Sequence, residues 1–407
     1  MKTEDIDRLA DWLVRRGLAG GDETDLRRAL CEKCNEAGLP VSRALTFIDT
    51  LHPVHEGTIF RWRDDGIEEE PSRRYGRSDE GEAAESWQRS PFYHLLQNGG
   101  EELRRRIGFG EPADFPIIQE VKDLGYTDYV VFVHPFDTSA TIGEMDCAYS
   151  AWSTRHPAGF DDTDLLALRR LAPALGLAIK SAALARVADT LVEVYLGRDA
   201  GRRVLSGRIR RGVAERIEAA LWFSDLRGYT TITDTASPGE IIPLLNDYAE
   251  AAITSIHEAG GDVLKLIGDG TLALFRATDS SEACRRALQA EEILRAKVKE
   301  LNERRRAEER PVTSVYVGLH VGAVFYGNVG SVERLDFTVV GPAVNETSRI
   351  ASMCRSVDRP LLISSDFANC LPPEEREKLV SVGRFALRGV GHAKELFTLD
   401  PQLLQGA

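Results

Sequence analysis

Residues 262–275 read "DVLKLIGDGTLALF". Two apolar runs of strand length flank Gly268-Asp269-Gly270, the composition of a tight β-hairpin. The turn carries one bare carboxylate, Asp269. An Asp-Gly turn is common and needs no ligand to explain it, so the surrounding elements decide what this carboxylate is for.

Upstream, "ERIEAALWFSDL" reads as a strand whose branched and aromatic residues run up to Asp225. Between the two, "SPGEIIPLLNDYAEAAITSIHEAGG" reads as a helix, with Ser237 as N-cap, Pro238 at N1, Glu240 placed for a capping box, and Gly260-Gly261 as the stop. Downstream, a long charged helix covers about 279–308, and "TSVYVGLHVGAVFYGNVG" reads as a further strand pair. Strand-helix-strand-strand-helix-strand is the ferredoxin-like order, here βαββαβ with extra strands, in an α+β chain. That order makes the first strand a neighbour of the hairpin, so Asp225 stands beside Asp269. Two carboxylates on rigid elements, flanked by glycine or open backbone, suit Mg²⁺ or Mn²⁺ with water and phosphate completing the shell.

The rest of the chain limits the alternatives. At 407 residues, two domains are the default. A net charge of −13 argues against a general nucleic-acid binder, because phosphate backbones call for clustered positive charge. The N-terminal stretch is an amphipathic helix rather than a secretion signal, and no uninterrupted apolar stretch reads as a membrane span, so a cytoplasmic location is expected. The six cysteines are expected as free thiols. The "CEKC" pair, Cys31 and Cys34, has the spacing of half a zinc site, but no second pair accompanies it, and helix packing is the expected role.

Residues 1–50 read as short helices, including "VSRALTFIDTL"; 57–65, 127–136 and 144–154 alternate like strands. The charged stretch 64–86 reads as a loop. A long helix covers about 162–196, capped by Asp161 or Asp162 and kinked or slightly broken at Pro173. Leu168, Leu171, Leu175, Ala182 and Val187 form a partial apolar seam on it, which either pairs two chains or covers the chain's own sheet. Residues 40–185 resemble a GAF-like sensor domain. Trp62, Phe92, Tyr129, Phe132, Tyr149 and Trp152 are either its aromatic core or the lining of a pocket. The glycine- and arginine-rich stretch 197–212 reads as a linker. The expected division is therefore 1–160, a helical and GAF-like regulatory domain; 161–213, a connecting helix and linker; and 214–400, a catalytic domain.

The second half resembles the class III nucleotidyl cyclases, which make cyclic AMP or cyclic GMP. The likeness is carried, in order, by "FSDLRGYT", "GGDVLKLIGDGTLALF", "VGLHVGAVFYGNVG", "LDFTVVGPAVNETSRI" and "FALRGVGHAKELF". It implies that Asp225 and Asp269, with the Leu226 carbonyl, hold two Mg²⁺ or Mn²⁺ ions. Gly228 and its neighbours would present backbone N–H groups to a triphosphate. Asn345 and Arg349, four apart on one helix face, would orient the ribose and stabilise the transferring phosphoryl group. Arg388 matches a basic residue that reaches the terminal phosphates. Lys265 matches the lysine that reads adenine, where guanylyl cyclases tend to carry glutamate; Thr338 stands where many adenylyl cyclases have aspartate. The Lys/Thr pair resembles class IIIb, some members of which respond to bicarbonate. Ala323 departs from those members that carry a phosphate-touching arginine there, a subtype difference. The resemblance implies an adenylate cyclase that converts ATP to cyclic AMP and pyrophosphate. It would act as a homodimer paired through the catalytic domain and connecting helix, each site drawing its aspartates from one chain and Asn345 and Arg349 from the other. A guanylate cyclase and a non-catalytic nucleotide-binding sensor stay open beside it.

Overall fold

Central strands buried on both faces anchor one antiparallel sheet in the first half of the chain and one mixed sheet in the second. The computed structural model describes residues 1–66, 72–77, 81–137, 139, 141–143 and 145–401, and divides into two units, Met1–Leu191 and Val192–Ala407.

The first unit runs α1 (Thr3–Ala19), α2 (Glu23–Glu36), β1 (Arg43–Asp49), β2 (Gly57–Arg63), β3 (Ser72–Tyr75), α3 (Gly81–Gln88), α4 (Pro91–Asn98), β4 (Glu102–Arg105), a 3₁₀ turn (Ile107–Phe109), α5 (Pro116–Asp123), β5 (Asp128–Pro135), β6 (Cys147–Thr154) and α6 (Asp162–Leu196). Its six strands stand in the order β3-β2-β1-β6-β5-β4, every pair antiparallel. One face packs on α1, α2 and α6 through residues such as Leu13, Leu30, Ile48, Trp152 and Leu168. The other packs on α4 and α5 through Phe47, Phe92, Ile118, Val131 and Tyr149. Each fully buried large apolar side chain here contributes roughly 1.5–3 kcal/mol.

Several sequence expectations change in this unit. "VSRALTFIDTL" is not a helix: Arg43–Asp49 is the strand β1, flanked by β2 and β6. Burial on both faces removed the alternation that would have marked it. The charged stretch 64–86 contains β3, paired with β2, and most of α3; its residues 67–71 and 78–80 lie outside the described residues. Pro173 does not break α6. Of the two candidate caps it is Asp161 that acts, accepting from the Asp164 N–H at 2.7 Å, while Asp164 accepts from the Asp161 N–H at 3.2 Å. The apolar seam on α6 is largely spent inside the chain. Leu168, Leu171 and Leu175 belong to the first unit's own core, and Val187 is buried as well, so these residues are not free to pair two chains. By length and composition α6 would also be able to cross a membrane, the one such helix among the described residues, yet its first half is core. Trp152 and Phe132 face the α1–α2–α6 side while Tyr129, Tyr149 and Phe92 face the opposite one, so the six aromatics do not line one pocket. Cys31 and Cys34 are buried in the helical core, and burial pushes the Cys34 thiol up to about 12.

The second unit continues with α7 (Arg198–Leu205), β7 (Ala214–Leu226), α8 (Tyr229–Thr235), α9 (Pro238–Glu258), β8 (Asp262–Ile267), β9 (Gly270–Phe275), α10 (Ser280–Ala307), β10 (Val315–Gly330), β11 (Leu335–Val340), α11 (Pro342–Val357), β12 (Leu361–Ser364), α12 (Ser365–Cys370), α13 (Pro373–Arg376), β13 (Leu379–Phe385) and β14 (Lys394–Leu399). The sheet order is β13-β14-β12-β10-β7-β9-β8, with β11 paired to β10. Its first four strands in sequence thus stand as β10-β7-β9-β8, the arrangement expected of a ferredoxin-like βαββαβ unit. Helices α9 and α10 cover one face over Ala220, Trp222 and Phe275. On the other face α11 places Ala343 against Leu221 and Val324, and Ile350 and Cys354 against Tyr316 and Leu362.

Three expectations are corrected here. The stretch 197–212 is not simply a linker: it forms α7, whose Asp199 is ion-paired with Arg203 and Arg276 at 2.8 Å each and accepts from the Tyr326 hydroxyl at 2.9 Å. "TSVYVGLHVGAVFYGNVG" is one long strand, not two. Its glycines mark close approach rather than a turn, since a Cβ at Gly318 would lie 2.5 Å from the Ala351 nitrogen of α11. Ser237 makes no side-chain cap. Glu240 instead pairs with Arg305 at 3.4 Å and Arg310 at 3.0 Å, tying the start of α9 to the end of α10.

Candidate active site

Strand β7 carries Asp225 on the face shared by Leu221 and Phe223, at the end where the chain leaves the sheet. The β8–β9 hairpin closes through Gly268 and Asp269, with Ile267 opposite Gly270, and Gly268 takes the left-handed φ of 61° that such a turn requires. Gly270 sets how near this tip comes to β7, because a Cβ there would lie 2.7 Å from the Ser224 carbonyl oxygen. With only hydrogen in that place, Asp269 reaches over to accept the Leu226 N–H at 3.3 Å and its carboxyl meets that of Asp225.

The pair is electrostatically uncomfortable on its own. Burial, and then the adjacent Asp269 carboxylate, push Asp225 up to about 6. A divalent cation would relieve both the lost hydration and the repulsion. The donors available, two carboxylates and the Leu226 carbonyl, are all oxygen and match a hard cation such as Mg²⁺ or Mn²⁺. Just beyond, Gly228 adopts φ 67° and ψ 22° as the N-cap of α8, with open space around it, which leaves backbone N–H groups accessible to an anion.

The remaining expected site residues form two further groups. Lys265 on β8 is ion-paired with Asp336 on β11; Thr338 lies two residues on, on the same face of β11, while Phe337 and Val339 point into the core. Asn345 and Arg349 are exposed on α11, and Arg388 is exposed in the turn after β13. Among the described residues, no hydrogen bond or ion pair joins the aspartate pair to Lys265, Thr338, Asn345, Arg349 or Arg388.

Beneath Asn345 and Arg349, the buried face of α11 is fixed by a polar cluster. His320 Nδ1 meets Ser364 Oγ at 2.8 Å, and its Nε2 lies 3.7 Å from Glu346. The Lys394 ammonium bridges Glu346 at 3.0 Å and Asp366 at 2.7 Å. Burial pulls His320 below its usual range, so it serves as a neutral hydrogen-bonding group. His320, Glu346 and Asp366 bring ligand-type atoms within 4.8 Å of one another, but the Lys394 ammonium already bridges the two carboxylates. This cluster is distinct from the aspartate pair: His320 stands opposite Leu221 on β7, whereas Asp225 stands opposite Tyr316.

Sequence reasoning missed Asp336, Gly270 and Glu346. Asp336 could have been found from its period-two spacing to Thr338. The role of Gly270 needed the β7–β9 register, and that of Glu346 needed the contacts across β14.

Residues 213–400 match the model of the adenylate and guanylate cyclase catalytic domain. An adenylate cyclase from Anabaena cylindrica is 36% identical over 160 residues, which are 38% of this chain and 31% of that protein. Adenylate cyclase 1 of Rhizobium meliloti is 30% identical over 186 residues, 44% of this chain and 27% of that protein. The chain thus spans less than a third of either relative's length. Among solved structures, the adenylyl cyclase CyaB from P. aeruginosa matches 46% of this chain and 96% of its own at 22% identity, with a TM-score of 0.42.

Proposed function

We propose that this chain, whose residues 213–400 match the adenylate and guanylate cyclase catalytic domain, is a class III adenylate cyclase acting as a homodimer with two shared sites. ATP would be converted to 3′,5′-cyclic AMP: the ribose 3′-oxygen bonds to the α-phosphorus, the bond to the β-phosphate bridging oxygen breaks, pyrophosphate leaves, and the 3′-hydroxyl proton passes to solvent. The observation that carries this reading is the convergence of Asp225 and Asp269.

Asp225, Asp269 and the Leu226 carbonyl would hold two Mg²⁺ or Mn²⁺ ions. When bound, these would lower the pKa of the 3′-hydroxyl and screen the phosphate charge. The chain's own groups do the rest by placement and charge. The backbone around Gly228 would receive the triphosphate, and Arg388 its terminal phosphates. Asn345 would orient the ribose, and Arg349 would donate to the α-phosphoryl oxygens as charge builds there.

Dimerisation is supported by the observation that, among the described residues, no hydrogen bond or ion pair joins the aspartates to Asn345 or Arg349. Adenine is supported by Lys265: an ammonium only donates, which suits the acceptor nitrogen of the adenine edge, while guanine presents N–H groups that call for an acceptor. The nearby Thr338 hydroxyl can accept from the exocyclic amine. The first unit would act as a regulatory, GAF-like sensor, supported by its antiparallel sheet covered by helices on both faces and by α6, which begins in its core and runs on into the second unit.

The test is the purified chain with ATP or GTP and Mg²⁺ or Mn²⁺, products resolved by chromatography. Cyclic AMP from ATP, exceeding cyclic GMP from GTP, is expected. Absence of either product, or a preference for GTP, would overturn the assignment.

A further inference from the structure

Helix α11 carries Asn345 and Arg349 on its exposed face, while its buried face rests along β10. The β10 face turned to it reads, two residues at a time, Tyr316, Gly318, His320, Gly322 and Val324. Both glycines are close approaches: a Cβ at Gly318 would lie 2.5 Å from the Ala351 nitrogen, and one at Gly322 would lie 3.0 Å from the Ala343 Cβ. Glycine lets the helix lie close but offers it no side chain to interlock with. In the middle of this contact, therefore, His320 is the side chain that can fix where the helix stands.

Glu346 meets it from the helix. His320 Nε2 lies 3.7 Å from the Glu346 carboxylate. Its Nδ1 is held at 2.8 Å by Ser364 Oγ, which also accepts the Phe367 N–H at 3.1 Å as the N-cap of α12. Lys394 on β14 reaches Glu346 at 3.0 Å and Asp366 on α12 at 2.7 Å. Glu346 is thus tied to β10, to β14 and, through Lys394, to α12, and it directly follows Asn345 and precedes Arg349 by three residues. Burying such charges is costly, and apolar side chains of similar volume are often as stable or more so. The cluster then matters for the placement it enforces rather than for stability it adds.

We propose that Glu346 is a positioning residue: held by His320 and Lys394, it sets where α11 stands on the glycine track and so where Asn345 and Arg349 meet the nucleotide, a role that rests on the cyclase reading of those two residues. Glu346 acts through its neighbours on the helix, not on the nucleotide. Arg349 meets charge that builds only as the 3′-oxygen attacks, so a small shift of α11 falls on kcat. The triphosphate contacts at Gly228 and the aspartate pair lie on other elements, so KM is spared.

The experiment is steady-state kinetics of the full chain with ATP and Mn²⁺, with the melting temperature of each variant measured alongside. Glu346→Met keeps a side chain of similar length and removes both polar contacts. Its kcat should fall about tenfold or more, while KM stays within about twofold and the melting temperature does not drop. Glu346→Gln keeps an acceptor for Lys394 and should restore most of the lost kcat. Glu346→Ala is read in the same way should the methionine variant fail to fold. With an active parent, an unchanged kcat in the methionine or alanine variant, or a kcat lost only in step with melting temperature, would overturn the role of Glu346 alone. A parent that makes no cyclic nucleotide would overturn the cyclase reading and this role with it.

Discussion

Asp269, at the tip of the β8–β9 hairpin, brings its carboxyl against that of Asp225 and accepts the N–H of Leu226 at 3.3 Å. Two adjacent carboxylates make this part of the second unit sensitive to metal and pH. Asp225→Asn or Asp269→Asn should cut turnover about 100-fold or more, the scale of losing a main electrostatic contact to the reacting phosphate. Because either change also removes repulsion, the metal-free variant should melt no lower than the parent. A variant that keeps activity, measured as pyrophosphate release, would contradict the metal assignment.

The sign of the pH effect follows from the same pair. Asp225 is raised to about 6 in the folded chain from an ordinary 3.8, so the folded state binds its proton more tightly than the unfolded state does. Its contribution to stability is present below about 4 and is lost as pH rises to about 6. Melting in chelator across that window should show the loss, and millimolar Mn²⁺ should reverse it above pH 6, since a ligand that binds only the folded state stabilises it. Asp225→Asn should show neither effect.

Glu291 offers a parallel test away from the site. It is 5% exposed on α10, with Arg295 at 2.7 Å, and burial raises it to about 7. Stability should therefore fall between about pH 4.5 and 7, by up to roughly 3 kcal/mol. Glu291→Gln should flatten that fall in urea titrations at several pH values. An unchanged slope would remove Glu291 as its source.

How much of this was legible before the fold was known depends on what each residue signals locally. Asp269 lay in a turn with its own glycine chemistry, and Asp225 ended an apolar run, so both could be read and brought together by strand order. β10 was read as a strand pair but is one strand, in which Gly318 answers to the backbone of α11. The strand β1 was hidden by burial on both faces. Glu240 looked like a capping residue because its spacing from Ser237 is local, whereas its partners are Arg305 in the last turn of α10 and Arg310 just beyond it. Asp336 was in view within a quoted motif, but its pairing with Lys265 depends on β11 meeting β8.

Gly270 tests the hairpin's approach directly. Gly270→Ala places a methyl 2.7 Å from the Ser224 carbonyl oxygen and 3.3 Å from that of Ile267. It should cost about 1–3 kcal/mol, as overpacking does, and lower activity with a raised requirement for Mn²⁺. Unchanged stability and metal dependence would show that the tip has room to spare.

The Lys265–Asp336 pair bears on the choice of base. Both side chains are about two-fifths exposed, at 40% and 41%, so Asp336→Asn should change stability by less than about 1 kcal/mol. It should nonetheless alter the ratio of kcat/KM for ATP over GTP several-fold, by releasing the ammonium that Asp336 holds beside Thr338. Lys265→Glu should reduce use of ATP more than use of GTP. Identical nucleotide ratios in both variants would separate Lys265 from base reading.

The shared site is tested most directly by mixing two inactive variants. Asp225→Asn and Arg349→Ala damage opposite halves of it, so a mixed dimer keeps one intact site and one doubly damaged one. Equal amounts, allowed to exchange, should recover about a quarter of the parent's cyclic AMP production from ATP, since half of the dimers are mixed and each has one working site of two. Recovery of nothing, with exchange verified by differently tagged chains, would show that the aspartates and Arg349 do not act on one nucleotide across two chains.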